Sequence, residues 1–184
     1  VLIANRGEIA VRIIRACKEL DIKSVAIHSD VDNDAMHVRL ADESICVGSA
    51  LPNNSYLNIP NIISAIEITG ADAVHPGYGF LSENDKFADI LTKHDVKFIG
   101  PSSKSILELG NKSNALKLAN KHGLPILGNK NAKNISTVKD AVKIANDIGL
   151  PVVIKAAYGG GGKGMQVFNK IDEINQCFSQ LKTE

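Results

Sequence analysis

The amino-acid sequence predicts an α/β fold, a doubly wound parallel sheet followed by the start of a second domain. Three observations lead to this class. Short apolar runs alternate with segments of helical periodicity over about the first hundred residues. Such alternation is typical of βαβ units, whose parallel strands are buried on both faces. A glycine-rich segment between two further strand-like runs then indicates a different kind of unit near residue 160.

The first half of this sheet begins at the N-terminus. Val1–Ala4 is predicted as a strand, and Gly7 marks the turn into a helix whose apolar positions continue to Leu20. The next two strands are predicted at 25–27 and 45–47.

The second half follows a helix that begins near Pro60, with Asn58 as a possible cap. The remaining elements are a strand at 71–74, a helix at 87–91 and a strand at 96–99. Together these elements predict a Rossmann-like domain. It lacks the dinucleotide fingerprint, because the first strand-to-helix turn, Asn5-Arg6-Gly7-Glu8, has only one glycine.

The second region has more helices and only two strands. The predicted helices lie at 103–109, at 112–122, from a capping box at Thr137 and Asp140 to Ile148, and from Asp172 onward. The predicted strands lie at 151–154 and at 165–168.

Four consecutive glycines, Gly159 to Gly162, lie between those strands. The dinucleotide template fails because a strand follows the loop, and the Walker template fails because Lys163 precedes a glycine rather than a hydroxyl residue. A kinase-type loop fails because Lys155 comes before the glycines. The remaining interpretation is a flap whose backbone N–H groups and lysine bind a triphosphate; a plain surface hairpin is the alternative.

Composition excludes several classes of function. The net charge is +1 and there is no basic block, which argues against nucleic acid as a partner. No apolar run is long enough to predict a transmembrane helix. Cys17, Cys46 and Cys177 form no C-x-x-C motif, which favours a reducing compartment without a zinc site. We expect Cys17 and Cys46 to be small core residues. The chain begins at Val1 within a strand-like run, without an initiator Met, and ends at Thr183-Glu184 directly after a helical pattern, so we expect both of its ends to be truncated.

Four motifs together resemble the biotin carboxylase family. They are Asn5-Arg6-Gly7-Glu8-Ile9-Ala10, His75-Pro76-Gly77-Tyr78-Gly79-Phe80-Leu81-Ser82-Glu83-Asn84, Phe98-Ile99-Gly100-Pro101 and the segment from Lys155 to Met165. The resemblance implies a biotin carboxylase N-terminal, pre-ATP-grasp domain at 1–110. It also implies linker helices and the first part of an ATP-grasp domain at 111–184.

The same resemblance implies an ATP-dependent ligase. In this family ATP and bicarbonate form carboxyphosphate, and the carboxyl group passes to biotin on a carrier protein. The cofactors implied are ATP, Mg²⁺ (or Mn²⁺), bicarbonate and biotin. The partners implied are a second copy in a homodimer, the biotin carboxyl carrier protein and a carboxyltransferase. A membrane is not expected as a partner.

Three further motifs are most similar to the acetyl-CoA carboxylase subunit of bacteria, which implies fatty acid biosynthesis and a cytoplasmic location. They are Met36-His37-Val38, Ala41-Asp42-Glu43-Ser44 and Ser55-Tyr56-Leu57-Asn58-Ile59-Pro60. An organellar location stays open. The alternatives are pyruvate or propionyl-CoA carboxylase, another ATP-grasp ligase, or a non-catalytic dimerisation or binding module.

The resemblance also implies roles for residues of the ATP site. Lys112 and Lys155 match the lysines that contact nucleotide phosphate, and Gly161 and Gly162 match the glycines that close over the phosphates. Met165 matches a residue beside the adenine. The alternatives are a surface lysine for Lys112 and core packing for Met165.

Five residues outside the ATP site are also assigned by the resemblance. His75, Tyr78 and Glu83 could border a biotin or bicarbonate pocket, although His75 could instead orient its loop. Arg15 and Glu19 are spaced i, i+4 on the helix that forms the family's dimer interface; a solvated surface pair is the alternative.

The chain departs from the family pattern at two positions. Asn111 stands where the family usually has aspartate, and Lys163 stands where many members have arginine; asparagine can still cap a helix. The family's catalytic and metal-binding residues would lie beyond Glu184. We therefore expect residues 1–184 alone to be inactive.

Overall fold

The computed structural model describes residues 1–126, 135–155 and 165–181, and of Lys155 and residues 177–181 it describes the backbone only. The chain divides into two compact units, Val1–Leu107 and Glu108–Glu184, called here the N-terminal unit and the C-terminal unit.

The N-terminal unit contains a parallel sheet of five strands. They are β1 (Leu2–Ile3), β2 (Val25–Ser29), β3 (Glu43–Gly48), β4 (Ala73–His75) and β5 (Lys97–Phe98). Their order across the sheet is β3-β2-β1-β4-β5, and every neighbouring pair is parallel. The predicted doubly wound sheet is therefore confirmed, and its order reverses direction between β1 and β4.

Five helices belong to or begin in this unit. They are α1 (Gly7–Glu19), α2 (Met36–Leu40), α3 (Ile59–Thr69), α4 (Asp85–Lys93) and α5 (Ser103–Gly110). Helix α2 and the 3-10 turns at Asp30–Asp32 and Pro52–Asn54 were not predicted, because elements this short carry too little periodicity to detect.

Side chains alternate between the two faces of the sheet, so that each face has its own core. Ile3 packs with the apolar side of α1, including Ile13 and Ile14. Leu2 belongs to the opposite core, which includes residues of α3 and α4 such as Ile62 and Phe87. The helices on both faces are what a parallel sheet requires in order to bury its apolar strands.

Local capping signals fix where α3 begins. The Asn58 side chain accepts a hydrogen bond from the Asn61 N–H at 3.1 Å, as the sequence predicts. Pro60 is the second residue of the helix rather than the first, which suits it equally because the N–H groups of the first turn have no partner within the helix.

The prediction for the two cysteines was right for Cys17 and wrong for Cys46. Cys17 is buried on the inner face of α1, whereas Cys46 is exposed. Strand β3 lies at the edge of the sheet, and its residues Ile45 and Val47 face the core. Cys46, between them, is on the opposite face.

The C-terminal unit consists of helices beside one antiparallel hairpin. Its elements are α6 (Lys112–Lys121), α7 (Val138–Ile148), β6 (Val152–Lys155), β7 (Met165–Phe168) and α8 (Ile171–Leu181). The predicted capping box is present, because Thr137 Oγ1 accepts from the Asp140 N–H at 3.2 Å and donates to its carboxylate at 2.7 Å. The core contains Ala141, Ala145, Phe168 and Ile174.

Among the helices in the described part of the chain, none is long and apolar enough to span a bilayer.

Candidate functional site

The edge of the sheet where β1 and β4 end is the natural place for a ligand in this topology. In open α/β sheets, ligands bind outside the carboxyl ends of the strands at the point where the strand order reverses. Here the segment after β1 begins with Asn5, and the segment after β4 is Pro76-Gly77-Tyr78. We call the stretch His75–Phe80 the switch-point turn.

Asn5 connects the two segments. Its Nδ2 donates to the carbonyl oxygens of Pro76 and Tyr78, each at 2.8 Å, and its Oδ1 accepts from the Arg6 N–H at 2.9 Å. Only 3% of Asn5 is exposed. The amide thus bridges neighbouring strands at the edge where a ligand would bind.

Gly77 fits against that amide because it has no side chain. Its φ is +63°, and a Cβ at this position would come within 2.8 Å of Asn5 Nδ2. The Gly77 N–H donates to His75 Nδ1 at 3.0 Å. Burial lowers the pKa of His75, which favours the neutral ring that can accept this bond. His75 therefore helps hold the turn; a role for it toward a ligand stays a prediction.

The other two predicted pocket residues are more open to solvent. Tyr78 is 59% exposed, and its hydroxyl donates to Oε1 of Glu8, in the first turn of α1. Glu83 is exposed, within the turn that precedes α4. The structure therefore brings His75 and Tyr78 into the switch-point turn and leaves Glu83 just beyond it.

An ion pair that sequence reasoning missed lies next to this turn. Arg6 holds both oxygens of Asp32, with Nε to Oδ2 at 2.7 Å and a terminal guanidinium nitrogen to Oδ1 at 2.5 Å. Asp32 Oδ2 also accepts from the Tyr56 hydroxyl at 2.5 Å and from Ser29 Oγ at 3.0 Å. These donors, Arg6 first, hold the pKa of Asp32 well below its usual range.

Tyr56 extends this cluster to the far end of the turn. Its ring stacks on Phe80 with centroids 5.2 Å apart and 12° between the planes. Phe80 has a φ of +38°, a left-handed conformation that is uncommon for an aromatic residue. Polar residues directly after β1 and β2 were the available signal for the cluster, but no local pattern pairs Arg6 with Asp32.

A cavity of about 840 Å³ lies between α1 and the start of α2. Arg15 and Glu19, the predicted dimer-interface residues, are exposed and line it together with Arg12. Within the described ranges no ion pair joins Arg15 to Glu19. Arginine preceding glutamate at this spacing is the less favourable order for a helical pair.

His37 lies at the floor of the same cavity. Its Nε2 donates to the Ile27 carbonyl at 3.2 Å, and its buried Nδ1 has no hydrogen-bond partner among the described residues. Burial lowers the pKa of this histidine, so the neutral ring is favoured.

The β6–β7 hairpin of the C-terminal unit presents one apolar face to solvent. Val153 pairs with Val167, and Lys155 pairs with Met165. The exposed fractions of Val153, Met165 and Val167 are 48%, 49% and 56%, whereas Phe168 is fully buried. The predicted nucleotide residues Lys155 and Met165 are thus directly opposite each other in the ladder. The Lys155 side chain, Gly161 and Gly162 lie outside the described residues.

Lys112, the other predicted phosphate lysine, is the exposed first residue of α6. Asn111 caps that helix by accepting from the Asn114 N–H at 3.1 Å. Asparagine therefore retains the capping function at the position where the resembled family usually has aspartate.

Within the described residues, no group of three or more His, Cys, Asp or Glu side chains is arranged to hold a metal ion.

Two family models match the chain. The model for the N-terminal domain of biotin carboxylase matches residues 1–106. The model for the ATP-binding domain of the carbamoyl-phosphate synthase L chain matches residues 111–184.

Curated relatives match along nearly the whole chain. The chain is 50% identical over 184 residues to the biotin carboxylase of Haemophilus influenzae, covering 100% of this chain and 41% of that protein. It is 53% identical over 167 residues to the mitochondrial propionyl-CoA carboxylase alpha chain of Caenorhabditis briggsae, covering 91% of this chain and 22% of that protein. The chain thus spans well under half the length of these relatives.

Solved structures agree with the sequence matches. A biotin carboxylase–beta-gamma-ATP complex from Campylobacter jejuni superposes with a TM-score of 0.92 at 46% identity, covering 100% of this chain and 41% of that one. The biotin carboxylase domain dimer of Hydrogenobacter thermophilus 2-oxoglutarate carboxylase was solved with MgADP, ADP and bicarbonate. It superposes with a TM-score of 0.89 at 40% identity, covering 98% of this chain and 39% of that one.

Proposed function

Because this chain belongs to the biotin carboxylase N-terminal domain family, we propose that the protein uses ATP and bicarbonate to carboxylate biotin on a carrier protein. The C-terminal unit supplies nucleotide contacts and the N-terminal unit supplies part of the biotin-facing surface. The observation that carries this proposal is the hairpin register, which sets a strand-ending lysine opposite a half-exposed methionine, with a glycine-rich segment of the sequence between them.

The apolar face of the hairpin suits a nucleotide base. Val153, Met165 and Val167 together offer a flat, desolvatable surface at the edge of a strand pair. Stacking an adenine on this surface would remove apolar area from water, at roughly 25 cal/mol per Å². The opposite face is already occupied by the core around Phe168, so only this face is open.

The lysines suit the phosphate chain. In phosphoryl transfer, negative charge shifts between oxygens, and fixed ammonium groups stabilise it without forming covalent bonds. We assign this role to Lys155 and Lys112, and the closing contact to the backbone N–H groups of Gly161 and Gly162. Mg²⁺, when bound with ATP, would neutralise further phosphate charge.

The switch-point turn suits the second substrate. Tyr78 presents an exposed ring at the edge of the sheet where α/β ligands bind, and its hydroxyl is already held by Glu8. A flat ureido ring could lie against such a ring. We assign His75 to holding this turn and Glu83 to its outer border.

The finer assignment is to the biotin carboxylase subunit of a bacterial acetyl-CoA carboxylase, acting in fatty acid biosynthesis in the cytoplasm. In this assignment the protein is a homodimer in which Arg15 and Glu19 contact the partner subunit. It acts together with a carboxyl carrier protein and a carboxyltransferase. The match to a biotin carboxylase supports this choice, and the match to a propionyl-CoA carboxylase alpha chain keeps another acyl acceptor possible.

The test is ATP cleavage by the protein, measured with and without bicarbonate and free biotin. The proposal predicts cleavage that requires bicarbonate and rises when biotin is added. Nucleotide binding without biotin-dependent cleavage would instead support a different ATP-grasp ligase. A dimer that shows no response to ATP, in size-exclusion chromatography and nucleotide titration, would indicate a non-catalytic module.

Residues 1–184 by themselves are expected to be inactive in ATP cleavage. Bicarbonate-dependent cleavage by this segment alone, stimulated by biotin, would contradict that expectation.

A further inference from the structure

Asn5 is a buried amide whose hydrogen-bonding groups are all used. The two hydrogens of Nδ2 go to two carbonyl oxygens of the switch-point turn, those of Pro76 and Tyr78. Its Oδ1 accepts from the next residue, Arg6. A side chain that satisfies three backbone groups from one buried position constrains all of them strongly.

The two carbonyls lie on either side of Gly77, so their bonds to Asn5 set the orientation of the peptide planes there. Gly77 N–H is fixed separately, by His75 Nδ1. The amide also fills the space in which a Cβ of residue 77 would lie, 2.8 Å away. The contacts of Asn5 and His75 therefore hold the turn in the arrangement seen here.

From these contacts we infer that Asn5 is a positioning residue for the second substrate. At 3% exposure it does not reach the surface, so it acts through the turn and through the direction in which Tyr78 leaves it. This inference rests on the proposed function, in which Tyr78 borders the biotin pocket. The loss of Asn5 should raise the KM for biotin and leave nucleotide binding, which belongs to the C-terminal unit, unchanged.

Asn5→Asp is the sharpest variant, because it keeps the shape and the acceptor for Arg6 but places a carboxylate oxygen against two carbonyl oxygens. Asn58→Asp is the matched control. Asn58 acts as an acceptor for the Asn61 N–H at the start of α3, and aspartate caps a helix equally well.

The first measurement needs no activity. Amide hydrogen exchange of peptides covering residues 76–84 should become about tenfold faster in Asn5→Asp, the size expected for loss of one to two hydrogen bonds, and stay unchanged in Asn58→Asp. Unchanged exchange in Asn5→Asp would overturn the inference. The exchange measurement tests the inference even if the wild-type protein has no biotin-dependent activity. In that case the proposed function fails separately.

The second measurement is kinetic. The KM for free biotin should rise about tenfold in Asn5→Asp, with the KM for ATP within about twofold of wild type. Faster exchange without a change in the biotin KM would show that Asn5 is structural only, and would overturn the inference.

If Asn5→Asp does not fold, Gly77→Ala perturbs the same contact from the other side. Its methyl group meets Asn5 Nδ2, so it should produce the same split between the two KM values. Equal increases in both KM values would overturn the inference.

Discussion

In the N-terminal unit, the polar side chains around the switch-point turn are hydrogen-bonded to other groups of the chain. Asn5 holds the turn, and Arg6, Asp32 and Tyr56 form a connected cluster beside it. In the C-terminal unit, the hairpin face at the predicted nucleotide site instead consists of apolar side chains that stand about half exposed to water.

The difference concerns how much of each site exists before a ligand arrives. The hydrogen bonds around the turn are made within the chain before a substrate binds, so binding does not require the turn to be ordered at an entropic cost. The apolar side chains of the hairpin face are removed from water only when a ligand covers them. We therefore expect substitutions in the first region to change stability and positioning, and substitutions on the hairpin face to change affinity with little effect on stability.

The largest effect is expected from Phe168→Ala. Phe168 is fully buried in the small core of the C-terminal unit, and its truncation should cost about 3–5 kcal/mol of the free energy of unfolding of that unit. Nucleotide binding should be lost with it. Val167→Ala is the control from the exposed face and should cost under about 1 kcal/mol, as denaturant unfolding would measure. Equal losses of unfolding free energy in Phe168→Ala and Val167→Ala would contradict the distinction between the buried and the exposed face of the hairpin.

Asp32→Asn should have an intermediate effect. It removes the charge that Arg6 holds through two bonds, and because Arg6 is about half exposed its charge can rehydrate, so we expect a loss of about 1–2 kcal/mol. Asp89→Asn, in an exposed pair with Lys93, should cost about 0.5 kcal/mol or less. A smaller loss for Asp32→Asn than for Asp89→Asn in thermal unfolding would refute the cluster's contribution.

The ionisation of Asp32 should also make the stability of the protein depend on pH. Since the folded-state pKa of Asp32 is depressed, its contribution to stability is complete above the unfolded-state pKa of about 3.9 and is lost as the pH falls below it toward the folded value. The stability difference between wild type and Asp32→Asn should therefore narrow in acid. A constant difference down to pH 2 would contradict this.

The smallest effect concerns His37. Its folded-state pKa is lowered by burial, so its stability contribution is complete above about 6.5 and declines as the pH falls below that value. The slope from this one group cannot exceed about 1.4 kcal/mol per pH unit. His37→Gln should reduce the slope of the unfolding free energy against pH between roughly pH 5 and 7, the range in which histidine titrates. A slope in His37→Gln equal to that of the wild type would contradict the account.

Local patterns predicted the parts of the molecule that depend on neighbouring residues. The alternation of strands and helices gave the parallel sheet, and Asn58 and Thr137 marked helix starts correctly. The capping asparagine at 111 followed from the same rule. Each of these depends on residues three or four apart, which a sequence shows directly.

The remaining parts depend on contacts between distant residues. Asn5 meets the switch-point turn more than seventy residues later, and Arg6 meets Asp32 across two strands. The error at Cys46 has the same origin, because only the strand order shows that β3 is an edge strand. Periodicity identifies the strands but does not give their order or the side chains that meet at their ends.

The most direct test of the central claim, that the C-terminal unit binds the phosphates of ATP through Lys155, is a nucleotide titration. Lys155→Gln removes the charge at the position opposite Met165, and we expect the Kd for ATP to rise about 10- to 100-fold, the loss typical of one charge-assisted hydrogen bond. Lys143→Gln, an exposed lysine on α7, should bind within about twofold of wild type. ATP binding by Lys155→Gln at wild-type affinity would contradict the account.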